Sequence, residues 1–182
     1  MTEEEVITED LVNAINDLIE CGEGPKWSER YIAKDDLRIR HPDRKGKSRK
    51  RVDIEIVQLQ GRRPRFHFES KRLGQSPYTV DKYLNDGLAR FTDAEYARES
   101  DQGGMLGYVQ SGQCSEWANL IEKSLLLDIH KKAFRLRPTG WESCRIIDVL
   151  EHTYRTQHDR PALGRPIFLY HTLLLFYRAS PS

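Results

Sequence analysis

The chain has 182 residues, 31% of them charged and 38% hydrophobic, with a mean hydropathy of −0.69 and a formal net charge of +1. This length fits a single domain, residues 1–182, with a core of its own. The small net charge excludes any inference about partners from overall charge, and no apolar run is long enough to span a membrane. The three widely spaced cysteines form neither a zinc pattern nor a disulfide framework. Because the first residues are acidic, unlike a secretory signal, we expect a cytoplasmic protein.

The first half of the sequence predicts one helix followed by three strands. Residues 8–20 have an amphipathic helical pattern, with Thr8 as a candidate N-cap. A first strand is expected within 27–39. Two further strands are expected over 51–57 and 65–71, where apolar and polar residues alternate.

The second half predicts helices and strands in alternation. In chain order these are a helix over 79–100 ended by Gly103 and Gly104, a strand over 105–110, a helix over 115–127, a short strand near 133–136, a helix over 141–154, a polar loop over 155–166 and an apolar central strand over 167–177. The strand–helix–strand unit from 69 to 110 predicts a crossover between parallel strands. Helices before, between and after strands predict an α/β fold with helices on both faces of the sheet.

Two carboxylates and a lysine lie on the neighbouring strands 51–57 and 65–71. Side chains alternate along a strand, so Asp53 shares a face with Glu55, and Glu69 shares a face with Lys71. In an antiparallel hairpin, a three-residue loop over 61–63 pairs Asp53 with Lys71, whereas a loop over 60–62 pairs Asp53 with Glu69. A two-residue loop would place the acids on opposite faces. Both three-residue registers remain open at this point.

These residue types suit a divalent metal held against a phosphodiester. Mg²⁺ binds through one or two carboxylates, waters and substrate phosphates, and Asp53 and Glu69 supply the carboxylates. The backbone carbonyl of Ser70 is a further oxygen ligand. Lys71 would orient the attacking water or neutralise the developing charge. Glu55 is either a second ligand or a structural acid.

The pattern resembles the PD-(D/E)xK, or restriction-endonuclease-like, nuclease superfamily. The match consists of Asp53, fifteen intervening residues and Glu69-Ser70-Lys71, with Val52 where the motif has proline. The resemblance covers about 6–111, the core, and leaves 112–182 as an extension of helices and strands. It implies a three-layer α/β/α fold with a central mixed sheet, and a nuclease that uses Mg²⁺, with Mn²⁺ as a substitute.

The resemblance also implies two further site residues. Many members carry an acid on the first helix, and Glu9 is the favoured candidate over Glu20 and Glu29, with a solvated surface acid as the alternative for each. Some branches place a glutamine after the Glu-x-Lys strand, and Gln110 occupies the corresponding place in this sequence, with an ordinary strand-end amide as the alternative.

A basic run lies directly upstream of Asp53. Its members are Arg44, Lys45, Lys47, Arg49, Lys50 and Arg51. Beside a metal site such a run would grip phosphates without sequence preference, and a solvated loop explains it equally well. His67 shares the face of Glu69, which makes it either a substrate contact or a surface histidine. His171, inside an apolar strand, is expected to be a core histidine.

The sequence therefore favours a Mg²⁺-dependent enzyme that cuts DNA internally, with RNA as the other candidate substrate. By analogy, such an enzyme would serve anti-phage defence or DNA repair. No DNA-reading module accompanies the core, so specificity would come from loops, a homodimer or a partner subunit. The alternatives are a catalytically inactive nuclease-fold subunit that binds nucleic acid or a protein, and a protein whose hairpin is only a surface feature.

Overall fold

The computed structural model describes residues 3–38, 50–61 and 64–176. A seven-stranded mixed sheet lies at its centre, in the order β1-β2-β3-β4-β7-β6-β5. The strands are β1 Tyr31–Arg38, β2 Arg51–Gln58, β3 Arg65–Leu73, β4 Gln102–Val109, β5 Glu142–Ser143, β6 Thr153–His158 and β7 Ile167–Leu175. The α/β class predicted from the sequence is confirmed.

Five α-helical segments, one π-helix and two 3₁₀ turns join the strands in the described ranges. The α-helices are α1 Glu4–Glu20, α2 Val80–Lys82, α3 Ala89–Thr92, α4 Cys114–Leu125 and α5 Asp128–Ala133. A π-helix, Tyr83–Leu88, joins α2 to α3, and we call these three consecutive parts the crossover helix. The 3₁₀ turns are Ser28–Arg30 and Pro161–Leu163. None of the helices described has the length and hydrophobicity needed to cross a membrane.

The pairing of β4 confirms two predictions. β4 runs parallel to β3 and to β7, so the segment after β3 is a crossover between parallel strands. β7 lies between β4 and β6, as expected of a strand that is apolar almost throughout and therefore needs cover on both faces. The remaining neighbours pair antiparallel.

Hydrophobic cores lie on both faces of the sheet. Along β4, Met105 and Val109 belong to one buried cluster, whereas Leu106 and Tyr108 belong to another. Alternation along a strand places these two sets on opposite faces. The first cluster includes residues of the crossover helix and α4, and the second includes residues of α1. We call the two sides the crossover face and the α1 face.

Helix α1 begins four residues earlier than the sequence predicted. Its N-cap is Glu3, so the prediction that Thr8 caps it is wrong. The Thr8 hydroxyl instead donates to the Glu4 carbonyl oxygen at 2.8 Å and lies 3.1 Å from the Tyr108 hydroxyl. The early start matters because it puts Glu4 on the helix.

The helix predicted over 79–100 ends at Thr92, and Gly103 and Gly104 do not stop it. Both glycines lie inside β4. A Cβ at Gly103 would stand 2.6 Å from a Phe91 ring carbon, and one at Gly104 would stand 2.2 Å from a Phe68 ring carbon. These glycines therefore let aromatic rings lie against the strand.

The C-terminal predictions fail in three places. Residues 133–136 hold the end of α5 and an isolated bridge from Leu136 to His158. The helix predicted over 141–154 is replaced by β5, a loop and the start of β6, and β6 and a 3₁₀ turn occupy much of the predicted polar loop. The apolar residues that suggested the helix are exposed, Val149 by 83% and Ile146 by 57%, so they do not form a buried stripe.

A chain of buried polar groups joins the crossover helix to β7 and β6. The His158 Nδ1 lies 2.7 Å from the Phe134 carbonyl oxygen, which can only accept, so Nδ1 carries the proton and Nε2 accepts from Thr156 at 2.8 Å. Thr156 has given its single proton, so it accepts from His171 Nε2 at 2.8 Å, and Tyr83 donates to His171 Nδ1 at 3.0 Å. Both histidines are fully buried, which confirms His171 as a core histidine.

We expect this histidine chain to make stability fall as the pH drops from about 6.5 to about 4. Burial lowers the pKa of His158 to about 4 and lowers that of His171 as well, so in this pH range the unfolded chain binds protons that the native protein does not bind. For His158 alone the loss is about 3 kcal/mol. Urea unfolding of wild type and His158→Gln across this range measures it. Because every other group titrates in both proteins, parallel pH curves would contradict the expectation.

Candidate active site

The candidate site lies where β2 and β3 part. Their paired residues run from Val57–Arg65 to Ile54–Phe68, and the ladder ends there. Of the two registers that the sequence left open, this is the one that places Asp53 opposite Glu69. Gly61 has a left-handed φ of 74°, as expected in the connecting loop, while residues 62 and 63 lie outside the described ranges.

Beyond Phe68, β3 is no longer paired with β2, and two carboxylates accept hydrogen bonds from its backbone amides instead. The Ser70 amide donates to Asp53 Oδ2 at 2.6 Å, and the Arg72 amide donates to Glu4 Oε2 at 2.9 Å. Amides two residues apart point to the same edge of a strand, and buried amides need acceptors. We call this place the fork, defined by Glu4, Asp53, Glu69, Ser70 and Lys71.

A backbone irregularity in β1 lies opposite Asp53. Asp36 has a φ of 45° and interrupts the regular pairing of β1 with β2 at this point. Val52 packs in the cluster on the crossover face, whereas Ile54 packs in the cluster on the α1 face. The alternation of apolar and polar residues predicted over 51–57 would place Val52 and Ile54 on one face, and this is wrong for Val52 because the alternation breaks beside the site.

Lys71 is held at the fork by three oxygen acceptors. Its Nζ lies 2.8 Å from Glu69 Oε1, 3.1 Å from Glu4 Oε1 and 2.7 Å from the Ser70 carbonyl oxygen. These contacts match the three protons of an ammonium. Burial alone would lower the pKa of Lys71, but Glu69, Glu4 and Asp53 raise it overall. Lys71 is therefore a fixed positive charge and not a proton acceptor.

Glu69 is the most strongly perturbed acid of the fork. It is 5% exposed, and its Oε2 atom has no hydrogen-bond partner in the described structure. Burial, followed by the charge of Asp53, raises the pKa of Glu69 to about 7, although Lys71 acts in the opposite direction. Tyr96 lies close enough to lower this pKa, but its single proton is donated to the Arg51 carbonyl oxygen.

Negative charge exceeds positive charge at the fork. Glu4, Asp53 and Glu69 face a single ammonium, and burial raises the pKa of Asp53 too. Bringing acids together in a poorly solvated place opposes their ionisation, and an added cation favours it. The fork therefore has the electrostatics of a cation site.

The donor atoms fit a hard divalent cation. The fork offers the carboxylates of Asp53 and Glu69 and the carbonyl of Ser70, all oxygens, together with the unpartnered Glu69 Oε2. Mg²⁺ and Mn²⁺ prefer oxygen ligands and commonly use one or two carboxylates. Within 3–38, 50–61 and 64–176, no group of three or more acidic, histidine or cysteine side chains is already gathered around one point.

An acidic cavity of ≈ 320 Å³ adjoins the fork. Its lining residues are Glu4, Glu5, Thr8, Glu9, Asp35, Asp36, Arg51 and Asp53. Glu9, the helix acid favoured from the sequence, lines this cavity, whereas Glu4 is the helix acid that contacts Lys71. Sequence reasoning missed Glu4 because the predicted helix began at residue 8. Glu20 and Glu29 are exposed.

No protein-family model, curated protein or solved structure matches the chain. The geometry of the fork and the motif resemblance are therefore the basis for any functional assignment.

Glu55 and His67 form a buried structural pair beside the fork. His67 Nε2 and Arg65 both lie 3.1 Å from Glu55 Oε1, and the Ala97 amide donates to His67 Nδ1 at 3.1 Å. Glu55 is thus engaged as a structural acid. His67 is 7% exposed, so the interpretation of this residue as a surface histidine is wrong.

Gln110, the glutamine suggested by the resemblance, lies away from the fork. Lys71 is paired with Gly107 of β4, so Gln110 stands three residues further along, about 10 Å. Arg51 forms an ion pair with Asp36 beside the acidic cavity. Of the rest of the basic run, Lys50 is half-buried, and Arg44, Lys45, Lys47 and Arg49 lie outside the described residues.

Proposed function

We propose that this protein is a metal-dependent nuclease that hydrolyses DNA phosphodiester bonds internally, on a restriction-endonuclease-like three-layer core. The observation that carries the proposal is the convergence of Asp53, Glu69 and Lys71 at the fork, in one of the two registers compatible with the motif. Both strands are interior to the sheet, which argues against a simple surface hairpin. Anti-phage defence and DNA repair are the settings proposed by analogy.

Each residue of the fork has a separate role in this proposal. Asp53, Glu69 and the Ser70 carbonyl would hold Mg²⁺ or Mn²⁺, which when bound polarises the phosphate and lowers the pKa of a water. Lys71, permanently charged, stabilises negative charge that develops on the phosphate. Glu4 keeps the ammonium in place and satisfies the Arg72 amide.

The deciding experiment is a cleavage assay on supercoiled plasmid, linear DNA and RNA, with Mg²⁺, Mn²⁺ or chelator. We expect metal-dependent nicking of plasmid by wild type. Asp53→Asn should slow it by about 10³-fold, since several kcal/mol of charge stabilisation depend on the metal. Glu20→Gln, which changes an exposed acid at the far end of α1, should leave the rate unchanged. If neither metal supports cleavage by wild type, the proposal is wrong.

An inactive nuclease-fold subunit that binds nucleic acid is the second candidate. Among the described residues, no three metal-ligand side chains are already grouped together, and this favours the inactive subunit. Calorimetric titration with Mn²⁺ separates the two functions. DNA binding without any metal binding, unaffected by Asp53→Asn, would support the subunit; metal binding lost in Asp53→Asn would support the nuclease.

A further inference from the structure

Three arginines from the C-terminal part of the chain hold the loop that follows the crossover helix. We call residues 92–100 the arginine-held loop. Its contacts are Arg135 to the Thr92 carbonyl at 3.0 Å, Arg160 to the Ala97 carbonyl at 2.9 Å and the Ser100 carbonyl at 2.7 Å, and Arg165 to the Arg98 carbonyl at 2.6 Å. All four bonds end on backbone carbonyls, so they fix the path of the loop.

The same loop contacts both strands that carry the fork. The Ala97 amide donates to His67 on β3, and the Tyr96 hydroxyl donates to the Arg51 carbonyl on β2. Arg51 stands two residues before Asp53. Tyr96 is 3% exposed, and its ring packs edge-on against Phe91 at 5.5 Å. The loop is therefore a bridge between the C-terminal part of the chain and the strand that carries Asp53.

Holding the loop in this shape is unfavourable for its own residues. Ala94 and Ala97 have left-handed φ values of 57° and 50°, which are unfavourable for alanine because its Cβ crowds the following carbonyl oxygen. Arg160 is 1% exposed, and its Nε has no hydrogen-bond partner in the described structure. A buried guanidinium bound to neutral carbonyls is costly to desolvate. Such costs, concentrated in one loop, are typical of segments that support a site.

We infer that the arginine-held loop is a positioning element of the fork, with Tyr96 as the positioning residue and Arg160 as its anchor. Tyr96 ties the start of β2 to the loop, and the neighbouring Ala97 amide ties the loop to His67, two residues before Glu69. It thereby sets Asp53 relative to Glu69. The consequence for metal binding and cleavage rests on the proposed function, whereas the geometric inference does not.

Tyr96→Phe tests this inference, because it keeps the packed ring and removes only the hydroxyl. We expect Mn²⁺ affinity to fall about 10- to 100-fold, the usual effect of losing a group that orients a metal ligand. kcat should fall while KM for DNA stays the same. The Ser70 amide donates a hydrogen bond to Asp53, and its hydrogen should exchange faster in the variant. Tyr154→Phe, a half-buried tyrosine stacked on Trp141, is the matched control and should change none of these.

Hydrogen exchange keeps this test separate from the proposed function. If wild type neither binds Mn²⁺ nor cuts DNA, the nuclease proposal fails, and exchange at Ser70 still decides whether Tyr96 positions Asp53. Arg160→Met, which retains apolar volume, should accelerate the same exchange. Unchanged Ser70 exchange in Tyr96→Phe, with Mn²⁺ affinity equal to that of wild type, would overturn the inference.

Discussion

Glu69→Gln is expected to abolish metal-dependent cleavage and, at about pH 8, to raise the free energy of unfolding. Burial and Asp53 raise the pKa of Glu69 from 4.5 to about 7, a value that already includes the favourable effect of Lys71. Above pH 7 the native state therefore contains a carboxylate that ionises more easily in the unfolded chain. Glutamine keeps the shape without the charge and removes a cost of up to about 3 kcal/mol. The same change removes a metal ligand, so activity and stability should move in opposite directions.

The pH dependence gives this prediction its sign. Between about pH 4.5 and about pH 7 the native state retains a proton on Glu69 that the unfolded state has lost, so the contribution of Glu69 to stability falls as the pH rises through this window. The buried histidines titrate in the opposite direction in both proteins, so urea unfolding should show the effect as a difference: Glu69→Gln should gain stability relative to wild type as the pH rises. Glu55→Gln is the matched control, because Glu55 is equally buried but bonded to His67 and Arg65. That variant should be less stable than wild type. A destabilised Glu69→Gln protein would contradict the account of the fork.

The register that brings Asp53 opposite Glu69 was predictable because it depends on the length of one hairpin loop. Each three-residue loop considered for the hairpin fixes which residues of the two strands face each other. The structure has one of these two registers, the one that places Asp53 opposite Glu69. The parallel crossover after β3 followed from similar local rules. These features involve residues within one hairpin or one crossover, where spacing along the chain determines spacing in the fold.

The parts that sequence reasoning missed depend on distant contacts. Glu4 on α1 contacts Lys71 and Arg72 of β3, and Tyr96, in the loop after the crossover helix, contacts Arg51 at the start of β2. No periodic pattern marks Glu4, and the helical pattern over 79–100 predicts that Tyr96 is buried but not that it bonds to Arg51. The helix predicted over 141–154 failed for a related reason. Its apolar spacing suited a helix, but Trp141 stacks on Tyr154 and contacts His171, and this packing places the segment along the sheet edge.

Lys71→Met is expected to reduce cleavage by about 10³-fold, within the range seen when a positioned catalytic group is removed. Its ammonium contacts Glu69 and Glu4, and its pKa is raised, so the variant removes a positive charge that never titrates near neutral pH. Lys82→Met, an exposed lysine of α2, is the control and should cut DNA at the wild-type rate.

The same variant should also change how metal binding depends on pH. A cation binds the ionised carboxylate, so Mn²⁺ affinity in wild type should rise about tenfold per pH unit up to about 7 and then level off. Lys71 lowers the pKa of Glu69, and without it the levelling-off point should move to higher pH. Titration calorimetry from about pH 5.5 to pH 9 measures both curves. If the two curves level off at the same pH, Lys71 does not control the charge of Glu69. Its role would then be restricted to stabilising negative charge on the phosphate.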